Sequence, residues 1–498
     1  MRLNASIRAF NLVKFTVFAS KKTYAILVRV RSSLLSVRHS YFMYIKSLTL
    51  HNVKGFEHLA FDFERTKRQF SGWTVLVGGN ASGKSTILKT IALAVSGPDA
   101  GLQLMSLDTS GWIRQGSREA VACVEIVRDE THDKFTGSSG RQPKTDFPAG
   151  VLWRQPEETG FGEARPMFIE QPEVAKNQNS GRAQRGPWEP NASGWFCAGY
   201  GPMRRLSGSS PTAASISSAG GSMSRFVTLF REDAALSDSE AWLKLNHSRY
   251  LELTRNLEPI DISERARAIG HIVEGARRLL NDGLLPHGLT VESITVDHVH
   301  VRGSHGVTLP MRDISDGCRS IYATVLDLVH GMAEVYGVDG LFEDTPDGGI
   351  RVKAPGVVLI DEIEAHLHPK WQRDIPEWFK THFPNVQFIV TTHSPLVAQA
   401  ADENGVFILP SLDDVERLPR RLDPHECERL RLGKAEKTLL GAAFGLKNTR
   451  SQWANERIRE WQRLDAKRRA LGHLNTQEEI RYQELHTQME MAYGDEVV

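Results

Sequence analysis

Four cysteines in 498 residues is a low count, and Cys123, Cys197, Cys318 and Cys427 stand far apart with no CxxC pair among them. That spacing argues against a zinc site and against a disulfide framework, and it fits a reducing, cytoplasmic compartment. An excess of charge is missing too. The 61 basic and 60 acidic residues leave +1, so overall charge offers nucleic acid nothing, and only a local basic patch could. No apolar run reaches the roughly 18 residues that cross a bilayer, so no stable membrane span is expected. No heptad pattern is sustained anywhere, which excludes long coiled-coil arms.

What remains is the composition of a globular chain, 40% hydrophobic and 24% charged. Its length points to one large domain with insertions, or to two or three domains. Residues 1–42 are unusual: Arg2, Arg8, Lys14, Lys21, Lys22, Arg29, Arg31 and Arg38 occur there without any acid. The composition resembles a transit peptide or a basic membrane-surface helix. The simpler reading is an extension upstream of the fold, with Met43 as a candidate initiator.

From Tyr44 the pattern becomes regular. Apolar alternation in 45–50 and 59–63 predicts two strands around a turn at Lys54-Gly55, and Trp73–Val77 reads as a short buried strand. A helix is expected over 85–95, stopped by Gly97-Pro98, and a further strand over 120–127. Gly, Ser, Pro and Gln dominate 130–225, where 137–147, 175–194 and 207–224 read as loops around a strand near 195–201. Helices are expected over most of 225–282 and strands over 289–301. A polar turn at Ser315 opens a helix to Met332. Strands at 357–360, 386–390 and 406–409 flank a helix at 371–381, and strands alternating with helices imply a largely parallel sheet. The chain beyond Arg431 is helical, with Thr476 and Glu479 spaced as a capping box.

Four patterns carry chemistry. Gly78-Gly79-Asn80-Ala81-Ser82-Gly83-Lys84-Ser85-Thr86 matches the phosphate loop GxxxxGK[ST], placed between an apolar strand and an amphipathic helix. Glycines admit close approach, and successive amides at a helix start aim at a β-phosphate. Lys84 supplies charge to the β- and γ-phosphates, and the Ser85 hydroxyl is a Mg²⁺ ligand. Val357-Val358-Leu359-Ile360-Asp361-Glu362 puts two acids at the end of a central strand, where open sheets bind ligands. Asp361 is placed to hold Mg²⁺ through water, and Glu362 to orient and deprotonate an attacking water. His393, in Thr391-Thr392-His393-Ser394-Pro395, ends another strand, within reach of a γ-phosphate. Ser315-Asp316-Gly317-Cys318, taken alone, reads only as a helix N-cap. Arg204 and Arg205, after Gly201-Pro202, read as solvated arginines on a tight turn, and Asp297, His298 and His300 as an exposed strand face.

The order of these motifs resembles the ABC-type ATPase superfamily. The resemblance covers roughly residues 43–135 and 285–412. It implies an α/β ATPase head with a mixed, largely parallel phosphate-loop sheet, binding ATP and Mg²⁺. It also implies that Ser315 and Gly317 of one chain close on the nucleotide of another, so that two chains sandwich two ATP molecules. Glu364-Ala365-His366-Leu367-His368-Pro369 resembles the loop that links the two sites, and His366 and His368 then have structural rather than metal-binding roles. The stretch Tyr44–Phe56 resembles the opening of the SMC, RecF and overcoming-lysogenisation-defect branch, which places Lys54 near the nucleotide. The roughly 230 residues between Ser85 and Ser315 carry no heptads, unlike SMC arms. Ile360–Gln372 is most similar to stand-alone bacterial ATPases of antiphage defence, of the PtuA kind found in Septu systems and some retrons. Cys318 departs from the larger residue usual in the signature.

The expected organisation is therefore a basic extension (1–42), a lobe with the phosphate loop (43–135), a loop-rich then helical insertion (136–284), a lobe with signature, acids and switch histidine (285–412), and a helical C-terminal region (413–498). No nuclease constellation is evident in that last region. The function expected is a dimeric ATP-hydrolysing module that senses or clamps a partner and controls a separate effector, such as a nuclease. The alternative is a RecF-like repair ATPase that clamps DNA.

Overall fold

The structure is a computed structural model that describes residues 43–493, apart from residue 67 and the segments 106–110, 129–144, 156–167, 171–182, 190–193, 207–214, 216–219, 258–261 and 411–417. The basic stretch 1–42 and most of the three segments read as loops fall outside the described residues.

Two sheets build the head. The first is antiparallel: β1 (Tyr44–Val53), β2 (Phe56–Asp62), β4 (Glu119–Val127), β5 (Phe147–Arg154) and β6 (Phe168–Glu170), in the order β2-β1-β4-β5-β6. The second holds β3 (Gly72–Gly78), β7 (Cys197–Tyr200), β13 (Gly356–Ile360), β14 (Val386–Thr392), β15 (Val406–Leu409) and β16 (Arg420–Arg421), in the order β16-β15-β3-β14-β13-β7. Every pairing in it is parallel except that of β15 with β16, so the fold is α/β with a mixed, largely parallel sheet, as the sequence implies. Outside it, β8 (Thr290–Ile294), β9 (Val299–Arg302) and β10 (Thr308–Pro310) make a small meander, and β11 (Phe342–Asp344) pairs with β12 (Ile350–Val352).

A parallel sheet needs cover on both faces, and the side-chain alternation of these strands provides it. Leu76, Val357, Leu359, Ile389, Phe407 and Leu409 face helix α1 (Lys84–Met105) and the antiparallel sheet. Trp73, Val75, Val77, Val358, Ile360, Phe388 and Val390 share the opposite core with the helical layer. That layer comprises α2 (Ser237–Thr254), α3 (Glu264–Asn281), α4 (Asp316–Tyr336) and α5 (Pro369–His382). Helices α6 (Pro424–Leu432), α7 (Gln452–Leu471) and α8 (Thr476–Tyr493) follow, and the last two pack on each other around Trp461, Leu464, Tyr482 and Leu485.

Two sequence readings need correction. Gly97 does break α1, at φ 80°, but helix resumes after it. Pro98 has no N–H for the Ala94 carbonyl four residues back, and the Trp188 indole supplies that donor instead, at 2.9 Å. The capping box at α8 lies one residue earlier than expected. The Asn475 side chain accepts from Glu478 N–H at 2.8 Å, and the Glu478 carboxylate accepts from Asn475 N–H at 3.3 Å.

One buried side chain joins the two sheets. β1 is irregular between Ile45 and Ser47, and there Gln387 of β14 substitutes for a strand. Its Oε1 accepts from Ile45 N–H and its Nε2 donates to Ile45 C=O, both at 2.8 Å. Gln387→Ala leaves both backbone groups buried without partners and is expected to cost about 2–4 kcal/mol. Thermal unfolding followed by fluorescence checks this as a fall in the transition midpoint.

Candidate nucleotide-binding site

β3 leads directly into the loop 79–83 and then α1. Ala81 (φ 61°) and Gly83 (φ 90°) are both left-handed, which turns the chain sharply before the helix begins. A side chain at Gly83 would also collide with the Phe56 ring, 2.5 Å from where its Cβ would stand. Lys84 folds back inside the loop and donates to the Gly78 and Gly79 carbonyls at 2.9 and 2.8 Å. An ammonium has three donors, so one remains. Burial pushes the Lys84 pKa below the ordinary lysine range, while Asp361, Glu362 and Glu364 pull it back up. The Ser82 hydroxyl is buried and has no hydrogen-bond partner among the described residues. An orphaned donor, a spare ammonium N–H and a helix N-terminus around one loop fit a phosphate group. Ser85 and Thr86 stand in the first turn of α1, and Asn80 and Ala81 form the outer bend.

The ends of β13 and β14 lie beside this loop, because β14 separates β13 from β3 in the sheet. Asp361 is buried at the end of β13 and accepts a short hydrogen bond from the Thr391 hydroxyl. The same hydroxyl accepts from the Glu362 N–H at 2.8 Å, so Thr391 fixes both acids. Glu362 has φ 45°, an unusual conformation for a residue with a side chain. Glu364 turns back to β14: it accepts from the Thr392 hydroxyl at 2.7 Å and from the His393 N–H. Of the three carboxylates acting on Lys84, only that of Glu362 makes no hydrogen bond among the described residues.

Comparisons with known proteins match the segments that carry these residues. Residues 47–186 match a family described as an AAA domain, and residues 224–398 match one described as "AAA domain, putative AbiEii toxin, Type IV TA system". The chain is 23% identical over 375 residues to the Septu protein PtuA of Bacillus mycoides, covering 75% of this chain and 41% of that protein. It is 34% identical over 105 residues to a retron probable ATPase of Escherichia coli, covering 21% of this chain and 18% of that protein. The chain thus spans less than half the length of these curated relatives. Among solved structures, the Smc head domain of Pyrococcus yayanosii is similar, with a TM-score of 0.41 and 13% identity over 78% of this chain and 99% of that one.

The chain carries AAA-domain ATPase sequence over residues 47–186 and 224–398. It is related to Septu PtuA and to the retron ATPases.

Within this domain, the phosphate loop, Asp361, Glu362 and His393 follow the C-terminal ends of the parallel strands β3, β13 and β14. Among the described residues, Ser315 and Gly317 make no hydrogen bond with the phosphate loop. They begin α4, where Gly317 lies against the linker loop: a Cβ there would stand 2.4 Å from the His366 carbonyl oxygen. Ser315 occupies the N-cap position but makes no side-chain cap bond, and its hydroxyl donates to Cys318 Sγ at 3.1 Å. His368 caps α5 through its ring, which accepts from Lys370 N–H at 3.3 Å. The Lys54 ammonium sits over the Trp112 ring, 4.3 Å from its centre, on the turn that also carries Phe56.

Sequence reasoning missed several residues of this ATPase head. Thr391 and Glu364 lie within quoted motifs, yet their hydrogen bonds follow only from the pairing of β13 with β14. Gln372 connects the linker loop to the switch segment, donating to Leu367 C=O at 2.8 Å and accepting from the Ser394 hydroxyl at 2.7 Å. The largest correction is Arg204, read as solvated but 2% exposed, among the carbonyls that follow β13.

Proposed function

We propose that this chain is a Mg²⁺-dependent ATP hydrolase that works as a head-to-tail pair and, through pairing, controls a separate effector in antiphage defence. The observation that carries the hydrolase reading is the Glu362 carboxylate. Asp361 and Glu364 have partners at the ends of β13 and β14, whereas Glu362 has a fixed backbone and a carboxylate without a hydrogen bond among the described residues. Glu362 Oε is accordingly the base that orients water and accepts its proton. Lys84 Nζ, Ser82 and the amides of 80–86 bind phosphate oxygens, and His393 is placed to contact the terminal one. Ser85 and Asp361 would hold Mg²⁺, directly and through water respectively. That ion, when bound, neutralises charge on the β- and γ-phosphates.

Support for pairing is the resemblance of Ser315-Asp316-Gly317 to a signature that closes on a second copy's nucleotide; among the described residues neither Ser315 nor Gly317 hydrogen-bonds to its own phosphate loop. Support for an effector is relatedness to a Septu protein and a retron ATPase.

A mixing experiment tests the paired site. Lys84→Ala removes the phosphate-binding cation, and Ser315→Arg obstructs the surface offered to the second copy. Each variant alone is expected to show almost no ATP turnover. An equimolar mixture is expected to recover turnover, up to about a quarter of wild type per chain, because half the pairs are mixed and each retains one whole site. No recovery removes the trans assignment, and wild-type turnover without Mg²⁺ removes the metal. The effector reading predicts that a co-expressed neighbouring gene product changes activity with ATP. Equal activity beside Glu362→Gln removes it.

A further inference from the structure

Arg204 is a buried cation without a hydrogen-bonded carboxylate. Its guanidinium has five N–H donors, and it makes five hydrogen bonds. Nε donates to Ser320 Oγ at 3.0 Å. Nη1 donates to the Gly201 and Asp361 carbonyls at 2.8 and 2.9 Å, and Nη2 to the Glu362 and Ile363 carbonyls at 3.3 and 3.2 Å. Burial lowers its pKa to about 10, while Glu364, Asp361 and Glu362 act to keep it charged.

The acceptors explain the expense of burying this charge. Three consecutive carbonyls, 361–363, converge on one group. Such convergence sets aligned dipoles against one another unless a cation lies between them. It arises because Glu362 is left-handed at φ 45°, and a planar fork with fixed donor directions holds that shape where a flexible ammonium would not. The remaining donor reaches Ser320 on the first turns of α4, the helix whose start carries Ser315 and Gly317. Gly201 belongs to the turn after β7, whose Tyr200 carbonyl accepts from Asp361 N–H at 2.8 Å. The fork therefore joins three segments: the edge-strand turn, the acidic turn and the signature helix.

We propose that Arg204 is a positioning residue that holds the Glu362 turn in its working shape and, through Ser320, ties that turn to the helix presenting Ser315 and Gly317. This rests on Glu362 being the base and on the signature serving a second copy. A shift of α4 caused by nucleotide in the opposite site reaches Glu362 through one guanidinium, so the two sites of a pair communicate.

The test uses the full chain and compares wild type, Glu362→Gln, Arg204→Lys and Ser320→Ala in steady-state hydrolysis and in binding of a fluorescent ATP analogue. Arg204→Lys is expected to lower kcat by about 10- to 100-fold, with KM for ATP changed by less than about threefold. Ser320→Ala should flatten the cooperativity of turnover with ATP that wild type shows. Wild-type kcat in folded Arg204→Lys overturns the proposal. So does wild-type cooperativity in Ser320→Ala, or hydrolysis by wild type that is not cooperative. If Arg204→Lys does not fold, Ser320→Ala decides alone, because it removes only a hydroxyl. Wild-type turnover in Glu362→Gln is a different result: it removes the base assignment, whatever Arg204 does.

Discussion

Glu362→Gln is expected to lower ATP turnover by roughly 100- to 10,000-fold while leaving nucleotide binding intact. The amide has the size of the carboxylate, so the turn can persist. Thr391 still accepts the residue 362 N–H, and Arg204 still holds the carbonyls. What disappears is an acceptor for the proton of water. Because the phosphate loop is untouched, bound ATP should accumulate and the paired form should be longer-lived than in wild type. Single-turnover hydrolysis and size-exclusion chromatography with ATP measure the two effects. Turnover close to wild type would show that a different group takes the proton. The companion change Asp361→Asn should behave differently, weakening Mg²⁺-dependent binding as well as turnover.

Gly317→Ala is expected to lower assembly-dependent turnover by another route. The new methyl would stand 2.4 Å from the His366 carbonyl oxygen, and this atom is backbone, with no rotamer to relieve the overlap. Either the start of α4 moves outward or the linker loop does. Both belong to the surface proposed to meet the second copy, so turnover is expected to fall at least roughly 10-fold while ATP binding by the single chain changes little. Equilibrium binding beside turnover at several protein concentrations separates the two. A proportional loss of binding would mean that the helix start supports its own phosphate loop instead.

The legible parts of this chain were those whose cause is local. β3, β13 and β14 are apolar runs, and the phosphate loop carries its glycines within nine residues of sequence. Where the cause is tertiary, the sequence was silent or misleading. Arg204 follows a turn that any reader would place in solvent, and only the pairing of β7 with β13 brings the 361–363 carbonyls to it. β5 lies just beyond a segment read as loop and was not foreseen as a strand, yet Val151 and Trp153 are fully buried there, Trp153 stacked on Trp112 at 5.5 Å. Ser315 looked like a cap and occupies that position, but its hydroxyl is directed at Cys318. Lys54, placed near the nucleotide by resemblance, has its ammonium over Trp112, on the turn whose Phe56 lies against Gly83.

The strand order also governs when this head can first exist. β3 has β14 on one side and β15 on the other, and both neighbours lie beyond residue 385. A growing chain on the ribosome therefore displays the phosphate loop long before the strand behind it has anything to pair with. Non-local pairing of this kind forms slowly, and until it forms β3 is an apolar segment without its sheet. Competence for nucleotide thus arrives late in synthesis, and a transcript truncated before β14 yields a chain with the loop but no functional head. Nascent chains stalled before and after residue 410 should differ sharply in retention on immobilised ATP.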